Sequence, residues 1–153
     1  GICGNNKVAL NITESHKTSK NIKERGAFTI SVADVPHLEE SDYFGTASAN
    51  RVKDKFEKSG MHAVKSERVD APIIEEYPIT LECKVSKIYN DDEGFRVVGE
   101  IVNVLVDEEV LDSNGKVDPT KLNAFVFDQF QNGYYAIGEK VGEAWKSGNK
   151  YMK

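Results

Sequence analysis

The chain reads as a mainly β domain, a β-barrel with short helical insertions in its connections, and three observations predict this. Between 78 and 106, Ile79, Leu81, Cys83 and Val85 alternate with Thr80, Glu82, Lys84 and Ser86, and FRVVGEIVNVLV follows after the turn cluster Asn90-Asp91-Asp92-Glu93-Gly94. Two long β-branched runs joined by a short acidic turn predict a β-hairpin. Shorter strand-like segments recur at 7–12 (KVALNI), 27–33 (AFTISVA) and 123–127 (NAFVF). With 39% hydrophobic and 29% charged residues over 153 positions, one compact domain with its own core is expected.

The connections carry the helices. Residues 13–26 (TESHKTSKNIKERG) are polar, offer Thr13, Ser15 and Thr18 as N-caps and close on Gly26, so they read as a loop running into a short helix. Pro36 opens a helical stretch that stops at Gly45. In NRVKDKFEKSG, Val52 and Phe56 stand four apart on one face of a second short helix ending at Gly60. Residues 61–77 lack a period and read as an irregular connection. Gly99 inside the second long strand signals a bulge or a close backbone approach. Residues 107–121 form another loop, with a turn at 113–116 and a break at Asp118-Pro119. Residues 134–138 are extended, and Val141, Ala144 and Trp145 share one side of a terminal helix over 138–147.

Charge and motif content narrow the function. A net charge of -5 without a basic stripe argues against nucleic acid, whose binding rests on cations neutralising phosphates. A small anion can still be held by a few local donors. The apolar runs are too short to span a membrane, and the first residues do not resemble a signal peptide. Cys3 and Cys83 make neither a disulfide framework nor a C-x-x-C pair, so a reducing, cytoplasmic setting is expected, and the sequon at Asn11 is then silent. His16, His37 and His62 have no ligand-spaced neighbours, so no metal site is expected. No nucleophile elbow, P-loop or G-x-G-x-x-G occurs. Cys3 could be a nucleophile but reads more simply as a small buried hydrophobe near a strand, and Cys83, on the inward face of its strand, reads as core. Glu39, Glu40 and Asp42 read as a solvated face near a helix N-terminus.

One segment invites chemistry. Ser15-His16-Lys17-Thr18-Ser19 joins a strand to a helix start and combines hydroxyls, a cation and free backbone N–H groups, which suits a phosphate. Capping would explain the hydroxyls equally well.

Several stretches in series resemble the flavin reductase-like family, which includes flavoredoxins: GICG at 1–4, SHKTSKNIKERGAFTISV at 15–32, DYFG at 42–45, KDKFEKSGM at 53–61, VDAPIIEEYPITLECKV at 69–85, VVGEIVNVLVDEEVLDSNGKVD at 97–118 and YYAIGEKVGEAW at 134–145. The resemblance implies an FMN-binding split β-barrel and a homodimer with non-covalent FMN near its interface. It implies NAD(P)H or a redox-protein partner as electron donor, the protein supplying binding and orientation. Carried over by position, Ser15, His16, Lys17 and Thr18 look like the phosphate loop, with Lys17 and Thr18 leading. Lys55 and Phe56 look like the family's lysine-phenylalanine pair near the flavin, Phe56 having a competing reading as helix core. Cys3 and Gly4 match a strand whose backbone lines the flavin. Phe127 and the Tyr134-Tyr135 pair are candidates to wall the ring or the dimer contact, against an ordinary role as aromatic core. The family's strands that include an Asn-x-x-x-Ala-Trp-like flavin contact have no counterpart in 1–153. The expectation is thus a single domain lacking them, and with it a non-catalytic flavin-binding or degenerate member as the alternative to an oxidoreductase. Ser31 stands where many members carry asparagine.

Overall fold

A computed structural model describes residues 1–91 and 94–152. Among the described residues, eight strands and four short α-helices follow one another. β1 (Lys7–Ile12), α1 (Lys17–Arg25) and β2 (Ala27–Val32) come first. α2 (Leu38–Thr46) and α3 (Lys55–Ser59) precede the small strands β3 (Ala63–Lys65) and β4 (Pro72–Ile74). The long strands β5 (Ile79–Asp91) and β6 (Gly94–Val106) then lead to α4 (Pro119–Leu122), β7 (Phe125–Asp128) and β8 (Gly133–Ala136). A four-stranded antiparallel sheet of order β1-β6-β5-β2 forms the body, and β3-β4 and β7-β8 are separate hairpins.

The long hairpin is where the alternation placed it, although Asp92 and Glu93 of its turn cluster lie outside the described residues. Its register shifts twice, between Glu82 and Cys83 and between Val85 and Lys87. Such irregularities bend a strand pair and increase its twist. Gly99 faces Val85 beside the second shift. A Cβ on Gly99 would sit 2.5 Å from Cζ of Phe28 and 3.2 Å from Cβ of Cys83, so the glycine marks a close approach of β6 to the core.

That core is Val8, Ile22, Phe28, Cys83, Phe95 and Val97, with Leu10, Ile30, Leu81 and Ile101 packed around it. Each fully buried side chain of this kind contributes about 1.5–3 kcal/mol of transfer free energy. α1 closes the core by inserting Ile22, and Gly26 ends that helix at φ 63° with its N–H on the Ile22 carbonyl at 2.9 Å. Burial pushes the Cys83 thiol up to about 11, as the desolvated thiolate is disfavoured.

Several expectations are corrected. Residues 61–77 are not wholly irregular, because Ala63 pairs with Ile74 and Lys65 with Pro72 in a two-stranded hairpin. On the other face of β5, the polar Thr80 and Glu82 are buried as well. In the turn after β3, Ser66 hydrogen-bonds Glu82, which also accepts from Asn103 Nδ2 at 2.5 Å, while the Thr80 hydroxyl pairs with that of Ser31 at 3.0 Å. α2 runs through Gly45 to Thr46, and Pro36 belongs to the 3-10 turn before it. α3 starts only at Lys55, which leaves Val52 outside the helix. None of Thr13, Ser15 or Thr18 caps α1; its N-cap is His16, without a side-chain cap, and the Ser19 hydroxyl donates to the Thr13 carbonyl instead. Residues 138–143 have no regular structure and 144–147 form a turn rather than a helix, and Val141 and Trp145 are exposed. Cys3 is exposed, paired through its backbone N–H with the Lys7 carbonyl at 2.7 Å. Among the described residues no helix is long and apolar enough to cross a membrane.

Candidate functional site

The start of α1 is one wall of a cavity. His16, Lys17 and Thr18 line it together with Phe44, Gly45 and Thr46 at the end of α2, the following loop through Ala47, Ser48, Ala49 and Arg51, and Lys55 at the start of α3. Its volume is about 200 Å³. Among the described residues, three cations and four hydroxyl or imidazole groups line it, and no carboxylate does. In a chain of net charge -5, that sign reversal is local and built by the fold.

Each wall is held in place. The Asn50 amide donates to the Ser15 carbonyl at 2.8 Å, so the 47–51 loop is tied to the strand-to-helix loop. Arg51 and Val52 N–H groups both donate to the Ser48 carbonyl at 2.9 Å, which curls that loop. Lys55 Nζ donates to the Phe44 carbonyl at 2.7 Å and lies 5.5 Å from the Phe44 ring centroid. It thereby satisfies one of the open carbonyls at the end of α2. Partial burial lowers the pKa of this ammonium below its ordinary value, since the charged form is desolvated. Phe56 stacks on Phe44 with centroids 5.9 Å apart and planes 5° from parallel, so it braces α3 against α2 rather than facing the cavity. No carboxylate among the described residues engages Lys17 or Arg51.

The donor set fits a phosphate. The first N–H groups of a helix have no intrahelical partner, and α1 has neither a side-chain cap nor an acidic residue in its first turn. Those N–H groups, the positive end of the helix dipole and three cations converge on one cavity. At about 200 Å³ it is smaller than the roughly 300–1,000 Å³ that enclose a whole small molecule, so it can seat a phosphate end and not a tricyclic ring.

The sequence candidates separate accordingly. His16, Lys17, Thr18 and Lys55 are brought together, with Ser15 one bond behind the wall and Phe56 behind Phe44. Cys3, Gly4, Phe127 and Tyr135 are not among the lining residues. Phe127 and Tyr135 are not buried core: they lie on the β7-β8 hairpin and are half exposed. The Tyr134 hydroxyl donates to Asp42 on α2 at 2.6 Å, outside the cavity lining, and that bond raises the phenol's pKa. Arg51 escaped sequence reading because a lone arginine in a loop has no local signature. Asn50 before it and Ser48, three residues earlier, were the only cues to a tight turn.

Residues 6–125 match the family described as flavin reductase like domain. Flavoredoxin of Desulfovibrio vulgaris superposes with a TM-score of 0.84 at 34% identity, covering 93% of this chain and 75% of that one. Flavoredoxin from Methanosarcina acetivorans superposes at 0.83 with 28% identity, covering 95% and 75%. A Shewanella frigidimarina structure described by its split barrel domain, at 22% identity and a TM-score of 0.76, shares the fold. An uncharacterized protein of Archaeoglobus fulgidus is 34% identical over 97 residues, which are 63% of this chain and 54% of that protein. The chain thus spans about half the length of that relative. The curled antiparallel sheet with short helices is a split barrel, and the chain belongs to the flavin reductase-like family.

Proposed function

We propose that the chain is an FMN-binding oxidoreductase or electron-transfer domain of the flavin reductase or flavoredoxin type. It takes electrons from NAD(P)H or a redox-protein partner and passes them to flavin or another acceptor. The observation that carries this is the carboxylate-free cavity where the N-terminus of α1 meets Lys17, Arg51 and Lys55. When bound, FMN would supply a ring that accepts hydride or single electrons. The chain's residues bind and orient: Lys17 and Arg51 neutralise phosphate charge, Thr18 and the α1 N–H groups donate hydrogen bonds, and Lys55 keeps α2 and α3 at a fixed spacing. Such work needs no acid-base residue, since hydride transfer depends on holding the two rings within about 3–3.5 Å.

Purified protein should be yellow and release FMN on denaturation; a colourless protein that ignores added FMN would sink the proposal. Lys17→Ala should weaken FMN at least tenfold while leaving riboflavin, which lacks the phosphate, nearly unchanged in titrations followed by flavin fluorescence. Equal weakening of both would count against the phosphate assignment. A second reading, a flavin carrier without its own reductase activity, is favoured by one observation: the cavity encloses a phosphate and leaves the ring without an enclosing wall. Oxidation of NADH or NADPH by the FMN-loaded protein separates the two.

A further inference from the structure

The two loops that line the phosphate cavity, one ending in His16 and the other running through Ala47, Ser48, Ala49 and Arg51, are tied to each other. The Asn50 amide donates to the Ser15 carbonyl at 2.8 Å, across 35 positions of sequence, and neither residue is itself part of the lining. The aim of Asn50 is set locally. Its backbone N–H donates to the Ser48 hydroxyl at 3.3 Å, and the Arg51 N–H donates to the Ser48 carbonyl at 2.9 Å. That turn puts Arg51 into the lining and leaves Asn50 on the tie. A turn asparagine commonly bonds its own backbone two residues on; this one gives its amide to another loop.

The tie bears on which phosphate the cavity admits. A phosphomonoester ends in three terminal oxygens and carries a charge of about −1.5 to −2 near pH 7. A phosphate inside a diphosphate bridge carries a single charge, keeps two terminal oxygens and must continue into its neighbour. Lys17, Arg51 and Lys55 converge on a volume of about 200 Å³, which matches the denser charge of the monoester. A nucleoside attached through a second phosphate is itself of the size that pockets of roughly 300–1,000 Å³ enclose. Such an extension fits only if the 47–51 loop moves off Ser15.

We propose that Asn50 is a positioning residue that sets ligand specificity: by holding the 47–51 loop on Ser15 it keeps the cavity a site for a terminal phosphomonoester, so that FMN is selected over the diphosphate-extended flavin FAD. The inference rests on the flavin binding proposed above for the ligand, and on the tied loops for the discrimination. A hydrogen bond of this kind is worth about two- to tenfold in an equilibrium constant, and that is the scale on which its removal shifts the preference.

The test titrates FMN, FAD and riboflavin into the wild type, Asn50→Ala and the surface control Asn149→Ala, followed by flavin fluorescence. The wild type should favour FMN over FAD at least tenfold. Asn50→Ala should lower that ratio at least threefold, chiefly by a gain in FAD affinity, with riboflavin affinity and the urea midpoint close to wild type. Asn149→Ala should leave all three affinities unchanged. A wild type that takes FAD as tightly as FMN would overturn the proposal while leaving flavin binding in place. An unchanged ratio in Asn50→Ala, an equal change for all three flavins, or the same fall in the control would overturn it too. If the wild type binds no flavin, the function proposed above fails, and calorimetry with ribose 5-phosphate and ADP-ribose decides the tie by itself. A preference for the monoester that Asn50→Ala reduces supports it; equal binding of the two, or binding of neither, overturns it.

Discussion

At the residue scale, Gly99 shows how one missing side chain shapes the sheet. Phe28 and Cys83 occupy the space its Cβ would need, and both are core residues. Gly99→Ala must displace the Phe28 ring, and overpacking of this kind costs about 1–3 kcal/mol. Urea unfolding should show a lower midpoint with an unchanged m-value. A midpoint equal to wild type would mean that the ring moves aside without strain. The glycine was legible in the sequence as an interruption of a β-branched run, but its partner was not: Phe28 lies 71 positions earlier in the numbering, and only strand pairing brings it near. Cys3 teaches the opposite lesson. Its small apolar side chain suggested burial, yet it sits in an exposed pairing of residues 1–3 with β1, where backbone hydrogen bonds rather than packing hold it.

At the element scale, the β3-β4 hairpin depends on polar fastening. Its residues are mostly exposed, and its connection to the sheet runs through Ser66 and Glu82, with Thr29 Oγ1 donating to the Pro72 carbonyl at 2.6 Å. Ser66→Ala would leave the buried Glu82 carboxylate with Asn103 as its remaining side-chain donor and would free the Arg68 and Val69 N–H groups. Loss of a partner by a buried polar group costs about 1–3 kcal/mol, more when it is charged. Hydrogen exchange at residues 68 and 69 should quicken, and thermal stability should fall; unaltered exchange would show that the turn is held by other contacts. This hairpin was illegible in the sequence because three-residue strands carry too little alternation to register, and the buried glutamate that anchors it looks like any outward residue of β5. The terminal helix expected over 138–147 failed for a related reason. A three-residue apolar side in a short segment stabilises a helix only if another element covers it, and Val141 and Trp145 meet none among the described residues.

At the scale of the whole molecule, one set of exposed apolar side chains lies on β6 and another on or beside the β7-β8 hairpin. Val102 and Val104 on β6, and Val126, Phe127, Tyr135 and Ile137 on or beside the β7-β8 hairpin, are each about two-fifths to one-half exposed. The homodimer that the family resemblance implies would cover such side chains, and a second copy of the chain is the proposed occupant. Phe127→Glu should convert a dimer to a monomer in sedimentation velocity, since an isologous interface places the new charge on both sides. An unchanged dimer mass would remove Phe127 from the contact, and a monomeric wild type would end the dimer proposal.

The sequence by itself determined the strand content, the long central hairpin, the helix between the first two strands with its closing glycine, and the family. These are local properties, set by alternation, turn residues and short motifs that neighbours along the chain can express. It also pointed to Lys17, Thr18 and Lys55 as residues with chemistry. Only the tertiary structure decided that the loops near 15–18, 44–51 and 55 close on one carboxylate-free cavity, that Arg51 joins them, and that a buried carboxylate fastens the turn carrying Arg68. The physical reason is separation: a site is a convergence of charges and donors, and convergence between segments tens of residues apart leaves no mark on either segment alone.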